Sequence, residues 1–333
     1  MIVSVAICTW NRARLLEGTL AGFVELSIPP GVEWELLVVN NNCTDETDEV
    51  IARFEGRLPI RRFQEPDPGL SRARNRAIAE ASGELLLWTD DDVLVDEDWL
   101  ASYVQAATRF PSAAFFGGVI EPQFEVEPPA WIVCNTARLA DPFAILQLGP
   151  ETRALGNGEV VLGANMAIRA WAFRDFQFDV RFGVRGASRI GGEEVYFQER
   201  LVEQGHFGAW VGSARVRHVI SADRLTVEYL RRCFRGYGRT KARHEGAPPC
   251  PTLLGYPRFA VRKYLAARVT MARRPVGDPR WVDAMATSAF LEGYLAEARR
   301  GVSPLLDSQA GPPPEAGRPV LPMGARAGAS GST

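Results

Sequence analysis

Apolar and polar positions along the first third of the chain alternate between two periods. Residues 2–8 (IVSVAIC) are a β-branched apolar run, the pattern of a buried strand. Asn11 then predicts a helix cap, and Leu15, Leu16, Leu20, Phe23 and Val24 recur at helical spacing. Residues 34–39 read as a second strand that stops at a turn-rich tract, residues 40–45 (NNNCTD), leading into a helix through Phe54. A short strand at 60–63, a helix at 70–81, a strand at 85–89, a helix at 97–110 and a strand at 113–118 follow. Strands alternating with helices imply βαβ units and a largely parallel sheet.

Beyond residue 119 the pattern changes. Residues 121–158 are Pro-rich and irregular, and 160–169 are strand-like. A helix is expected from residue 193 to about 203, short strands at 208–211 and 216–218, and a basic helix from Asp223. From about residue 302 the chain is rich in Pro, Gly, Ala and Ser, a composition that predicts disorder. The expected organisation is an α/β domain over 1–222, a basic helical extension over 223–301 and a disordered tail over 302–333. The domain divides into a regular half, 1–118, and a less regular half, 119–222.

Composition narrows this picture only a little. A hydrophobic content of 46% is ample for a core, and the net charge of −2 selects no partner. Five cysteines, an odd number without a CxxC pair, argue against a disulfide framework or zinc site and for a reducing compartment. The sequence lacks a basic n-region with a long apolar stretch, and no apolar run reaches the roughly 18 residues of a membrane span. A soluble or peripheral cytoplasmic protein is the expectation.

The chemistry concentrates at Asp90-Asp91-Asp92, directly after the apolar run 85–87. Three successive carboxylates repel one another, and a divalent cation among them relieves the repulsion. Hard oxygen ligands suit Mg²⁺ or Mn²⁺, and the carboxyl ends of strands in an open α/β sheet are where ligands bind. Strand alternation would set Asp90 and Asp92 on one side and Asp91 on the other. Arg72 and Arg76 share a helical face while Arg74 points elsewhere, and guanidinium groups suit phosphates.

Five motifs occur in order: Cys8-Thr9-Trp10-Asn11-Arg12, Val38-Val39-Asn40-Asn41-Asn42-Cys43-Thr44-Asp45, Gly69-Leu70-Ser71-Arg72-Ala73-Arg74-Asn75, the acidic triplet, and Gly191-Gly192-Glu193-Glu194. Together they resemble a family 2 glycosyltransferase with the GT-A fold, over about residues 2–240. The resemblance implies a Rossmann-like, mixed but mostly parallel sheet flanked by helices, with a helical C-terminal extension. It implies nucleotide-sugar contacts by Cys8, Thr9, Trp10, Asn11, Asn40, Asn41, Arg72, Arg74, Asp90 and Asp91. Asn40 and Asn41 stand where the family usually has an Asp that accepts from the base. Asp92 would hold the metal, with Asp90 or Asp91 toward ribose or base, and His218 would complete the metal shell. Glu194, where the family usually has Asp, would deprotonate the acceptor hydroxyl, with Glu193 as the second candidate. Trp131, Asn165 and Gly192 would meet the sugar or acceptor.

The implied reaction is inverting transfer from a nucleotide-diphosphate sugar, UDP-linked, to a hydroxyl of a glycan or lipid-linked acceptor, with Mn²⁺ or Mg²⁺ as cofactor. Polysaccharide, glycolipid or cell-envelope glycan synthesis is the expected setting. Two rivals are a sugar-nucleotide nucleotidyltransferase, which would carry a Gly-rich basic loop after the first strand, and a non-catalytic nucleotide-sugar-binding protein. Residues 8–14 contain no glycine, and the complete acidic triplet with Glu194 and His218 speaks for catalysis. Nucleic acid is not an expected partner, and the oligomeric state is open. Twelve Lys/Arg against one Glu in residues 229–274 remain to be placed. Within 257–274, apolar and basic residues interleave as in an amphipathic helix that rests on the inner face of a membrane, the alternative being a helix packed on its own protein.

Overall fold

The computed structural model describes residues 1–184, 190–246, 252–253 and 256–298. In chain order its main elements are β1 (Ile2–Thr9), α1 (Ala13–Phe23), β2 (Glu33–Asn40), α2 (Thr47–Phe54), β3 (Ile60–Gln64), α3 (Leu70–Glu80), β4 (Leu85–Asp90), β5 (Val93–Val95), α4 (Trp99–Arg109) and β6 (Phe115–Phe124). There follow α5 (Ala130–Val133), β7 (Thr152–Ala154), β8 (Asn165–Arg169), α6 (Glu193–Glu203), β9 (Gly208–Ile220), α7 (Val227–Glu245), β10 (Thr252–Leu253), β11 (Tyr256–Pro257), α8 (Arg258–Arg273) and α9 (Pro279–Ala298). The expected tail over 302–333 lies outside the described residues.

The chain divides into two compact units. The first comprises residues 1–123, 144–187 and 192–220. It is built on a sheet of order β3-β2-β1-β4-β8-β6-β9-β5, with β7 paired to β9. β1, β2, β3 and β4 run parallel, and antiparallel pairing begins at β8. This is the mixed, mostly parallel sheet flanked by helices that the sequence predicts.

Both faces of the central strands are buried, which explains their continuous apolar runs. Val3, Val5, Ile7, Leu85 and Leu87 point into one cluster with Leu16, Leu20 and Phe23 of α1 and Trp99 of α4. Their strand neighbours Ala6, Leu86 and Trp88 point into the other, against Ala73 and Ala77 of α3 and Phe197 and Leu201 of α6. Alternation along each strand therefore feeds two cores, one per face.

Several boundaries differ from expectation. Residues 160–164 are not strand, and β8 begins only at Asn165. The two short strands expected at 208–211 and 216–218 are one continuous strand, β9. Its apolar pattern is interrupted by Ser213, but the backbone keeps pairing. The basic helix starts at Val227 rather than Asp223, because Thr226 caps it by accepting from the Tyr229 N–H at 3.2 Å.

The second unit comprises residues 124–143, 188–191 and 221 onward. Here α7 packs against α9 at close approach. A Cβ on Gly238 would lie 1.9 Å from the Phe290 carbonyl oxygen, and one on Gly293 would lie 1.9 Å from that of Arg235. Among the described residues no helix is long and apolar enough to cross a membrane.

Candidate active site

Parallel pairing aligns the ends of three strands. Thr9 of β1 pairs with Asn40 of β2, and Cys8 pairs with Asp90 of β4. The candidate residues of the first unit gather around this edge.

The triplet does not alternate as a strand would. β4 ends at Asp90, and Asp91 and Asp92 lie in a turn. This corrects the expected two-sided division. Arg12 Nη1 donates to Asp91 Oδ1 at 2.9 Å and to Asp92 Oδ2 at 3.0 Å. Burial lifts the Asp91 carboxyl to about 6 despite the guanidinium beside it. The Arg12 pKa rises, with the Asp91 carboxylate as the largest cause.

Register explains the neighbour of Asp92. β5 pairs with β9 so that Val93 faces His218, which brings His218 Nε2 to 3.5 Å from Asp92 Oδ1. Both side chains are buried. A carboxylate oxygen and an imidazole nitrogen are acceptable donors for Mn²⁺, and two protein ligands leave positions for substrate phosphates. The pair therefore fits a divalent cation. Among the described residues no three His, Cys, Asp or Glu converge on one point. Any cation here would take its remaining ligands from substrate or water.

Arg74 joins this edge to the acidic pair of α6. It is 3% exposed, and its Nη1 donates to Glu193 Oε1 at 2.7 Å. Its terminal nitrogens also lie 3.9 Å from Asp90 Oδ1 and 3.9 Å from Glu194 Oε2. Burial would lower the Arg74 pKa, but the Glu193, Glu194 and Asp90 carboxylates outweigh it and the pKa rises. Gly163 makes room for this guanidinium: a Cβ there would lie 2.0 Å from Arg74 Nη2. Glu194 is less deeply sealed than Glu193. Burial, followed by the charge of Glu193, pushes its carboxyl up to about 7. Gly192, left-handed at φ 86°, caps α6 just ahead of the pair.

The remaining predicted residues divide. Trp10 is 47% exposed at the end of β1, with an open aromatic face. Thr9 is buried, and Cys8 packs partly buried against the cluster of Leu86 and Trp88, where burial raises its thiol to about 12. Arg72 is half-exposed and pairs with Asp67 at 3.2 Å. Asn11 does not cap α1. It sits at φ 52° and accepts from the Thr44 N–H at 2.7 Å. The first N–H of α1, on Ala13, instead donates to Asp45 Oδ2 at 3.0 Å.

Three expectations need correction. Asn40 accepts from the Cys43 N–H and donates to Asp48, and Asn41 accepts from the Gly69 N–H and donates to the Glu65 and Asp67 carbonyls. Both amides are buried in building the turns after β2, so neither is offered to a base. Asn165 is fully buried. Its Oδ1 accepts from Trp99 Nε1 and the Tyr103 hydroxyl, both at 2.7 Å, and its Nδ2 donates to the Val119 and Ala214 carbonyls, both at 2.9 Å. It is a structural node, not a sugar ligand. Trp131 is half-buried in α5 of the second unit, beside Gly277.

Arg12 and Asp45 received no role from sequence. The available signal for Arg12 was that adjacent buried acids need a cation, while for Asp45 no local signal existed, because it meets the Ala13 N–H from 32 residues away.

Residues 4–144 match the family model of Glycosyl transferase family 2. The chain is 25% identical over 132 residues to the succinoglycan biosynthesis protein ExoM of Rhizobium meliloti, covering 39% of this chain and 42% of that protein. The match thus spans under half of ExoM. It is 24% identical over 251 residues to the glucosyl-dolichyl phosphate glucuronosyltransferase of Haloferax volcanii, covering 72% of this chain and 76% of that protein. Among solved structures, the mannosyltransferase PcManGT from Pyrobaculum calidifontis, in complex with GDP-Man and Mn²⁺, shares the fold with a TM-score of 0.51 and 17% identity, over 87% of this chain and 69% of the other. S. aureus TarS 1–349 in complex with UDP has a TM-score of 0.53 and 16% identity, over 88% and 90%.

Proposed function

We propose, from the match of residues 4–144 to the family 2 glycosyltransferases, that the chain transfers a sugar, with inversion, from a nucleoside-diphosphate donor to a hydroxyl acceptor. The observation that carries the reading is Arg74, whose guanidinium links Asp90 at the strand edge to Glu193 and Glu194 at the start of α6. One cation thereby ties the donor edge to the acid that takes a proton.

The geometry supports a role for each residue in this reading. Trp10 offers its exposed ring to the base. Asp92 and His218 would hold Mn²⁺ or Mg²⁺, which when bound stabilises negative charge on the departing diphosphate. Glu194 accepts the proton of the acceptor hydroxyl as its oxygen bonds to the anomeric carbon and the bond to the diphosphate oxygen breaks. A carboxyl near 7 is matched to that task at neutral pH. Arg74 and Glu193 position Glu194 and do not exchange protons. Opposite-face attack gives the inversion.

A UDP-linked donor is supported by UDP in one structural neighbour, while GDP-Man in another keeps a guanine donor in view. The names of the relatives support an acceptor in polysaccharide or lipid-linked glycan assembly. The cysteine usage, with Cys8, Cys43, Cys134 and Cys233 outside any disulfide among the described residues, supports a cytoplasmic setting. The test is release of nucleoside diphosphate from a panel of UDP-, GDP- and ADP-sugars, with and without Mn²⁺ or Mg²⁺. Metal-stimulated release from one donor is expected. No release or binding of any donor with either metal would sink the proposal.

A further inference from the structure

Most of the positive charge in residues 229–274 falls into two kinds. Four of the six Lys and Arg of α7 are answered by acids on α9. Arg231 and Arg235 each donate to Glu292 at 2.9 Å, while Arg239 and Arg243 donate to the two oxygens of Glu297 at 3.1 and 2.8 Å. The charge on α8 is not answered. Helix α8 has no Asp or Glu, and its Arg and Lys side chains form no ion pair among the described residues.

The faces of α8 are sharply different. Ala260, Tyr264, Ala267 and Met271 recur at helical spacing and form its inward stripe, in which Ala260 and Ala267 are buried and Ala260 and Tyr264 pack with Leu291 and Tyr294 of α9. Opposite lies Arg258, Arg262, Leu265, Val269 and Arg273, every one exposed. Leu265 is 57% and Val269 48% exposed. Phe259, on one flank, is also exposed. The outward stripe thus combines an exposed branched apolar centre with arginines on both sides.

We propose that this outward stripe of α8 docks on an anionic lipid surface. Leu265 and Val269 would enter the headgroup boundary, and the arginines around them would lay their stems on it and reach lipid phosphates. Charge complementarity selects this occupant. A soluble polyanion or free phosphate makes no use of the exposed Leu265 and Val269. A second copy laid on the same stripe would set arginine against arginine, with no acid on the helix to relieve it. The inference stands apart from the transfer reaction, because it uses none of the residues assigned to it.

The test is co-sedimentation of the full chain with vesicles of phosphatidylglycerol mixed into phosphatidylcholine, and with vesicles of phosphatidylcholine alone. Binding to the anionic vesicles, weakened by added salt, is expected, with none to the neutral ones. Arg258→Glu/Arg262→Glu/Arg273→Glu should weaken it by about tenfold or more. Leu265→Ser/Val269→Ser keeps every charge and should weaken it about fivefold. Both variants change exposed side chains, and donor hydrolysis should be unaltered. Absence of anionic-vesicle binding at low salt overturns the proposal. So does wild-type binding by the Ser variant, which would reduce the effect to diffuse electrostatics. Dimerisation lost in the Glu variant, without vesicle binding, would instead assign the face to a second copy.

Discussion

Arg74 and Glu193 form a buried ion pair, Nη1 to Oε1 at 2.7 Å, with both side chains almost sealed from water. A carboxylate so held is costly to move and poorly placed to meet an incoming hydroxyl. In the proposed reaction the pair separates the two adjacent acids of α6 by role, leaving Glu194 as the base.

Glu194→Gln should lower transfer by about a hundredfold or more while donor affinity, measured by calorimetry, stays within a few fold. Transfer close to wild type would remove Glu194 as the base. Glu193→Gln breaks the ion pair, so its main expected effect is a lower melting temperature.

The pH profile follows from the Glu194 carboxyl near 7. A base must be deprotonated, so kcat should rise with pH and level off above about 7. Glu193's charge is one cause of the high value, so Glu193→Gln should move this limb to lower pH. For stability the sign is opposite. Between the ordinary carboxyl value and about 7 the folded state holds a proton that the unfolded state has lost, so this group's contribution falls as pH rises through that window. A rate limb at the ordinary carboxylate range would contradict the assignment.

Arg12 neutralises Asp91 and Asp92 in the absence of substrate, and its charge opposes a cation at Asp92 and His218. Arg12→Gln should therefore bind Mn²⁺ alone more tightly, by about threefold or more, as read by calorimetry or by the Mn²⁺-induced shift in Tm. Unchanged Mn²⁺ affinity would show that Arg12 and the cation do not compete.

Asn165→Ala should destabilise the protein by about 2–4 kcal/mol in urea unfolding, because four buried groups lose their partner. Donor KM, measured where the variant is folded, should change little. A selective rise in donor KM with normal stability would restore the sugar-binding reading.

The sheet and its flanking helices were legible because strands buried on both faces give unbroken apolar runs, as at residues 85–87. What sequence missed depends on where elements stop and what meets across the fold. Asp91 joins Asp92 on Arg12 only because β4 ends one residue earlier. The four partners of Asn165 come from 46 to 66 residues away, and nothing in a local motif distinguishes a buried amide from one that binds sugar. The charge on α7 looked unopposed because Glu292 and Glu297 lie beyond the basic stretch.

The missing side chain at Gly163 makes it a constraint on sequence drift. Arg74 Nη2 occupies the space where any other residue would put its Cβ, and that guanidinium is held by carboxylates and cannot swing aside cheaply. Position 163 is therefore free to change only together with 74: a larger residue at 163 requires a shorter cation, or none, at 74. Losing that cation would leave Glu193 buried without its partner. Descendants of this sequence that keep the Glu193–Glu194 pair should also keep arginine at 74 and glycine at 163.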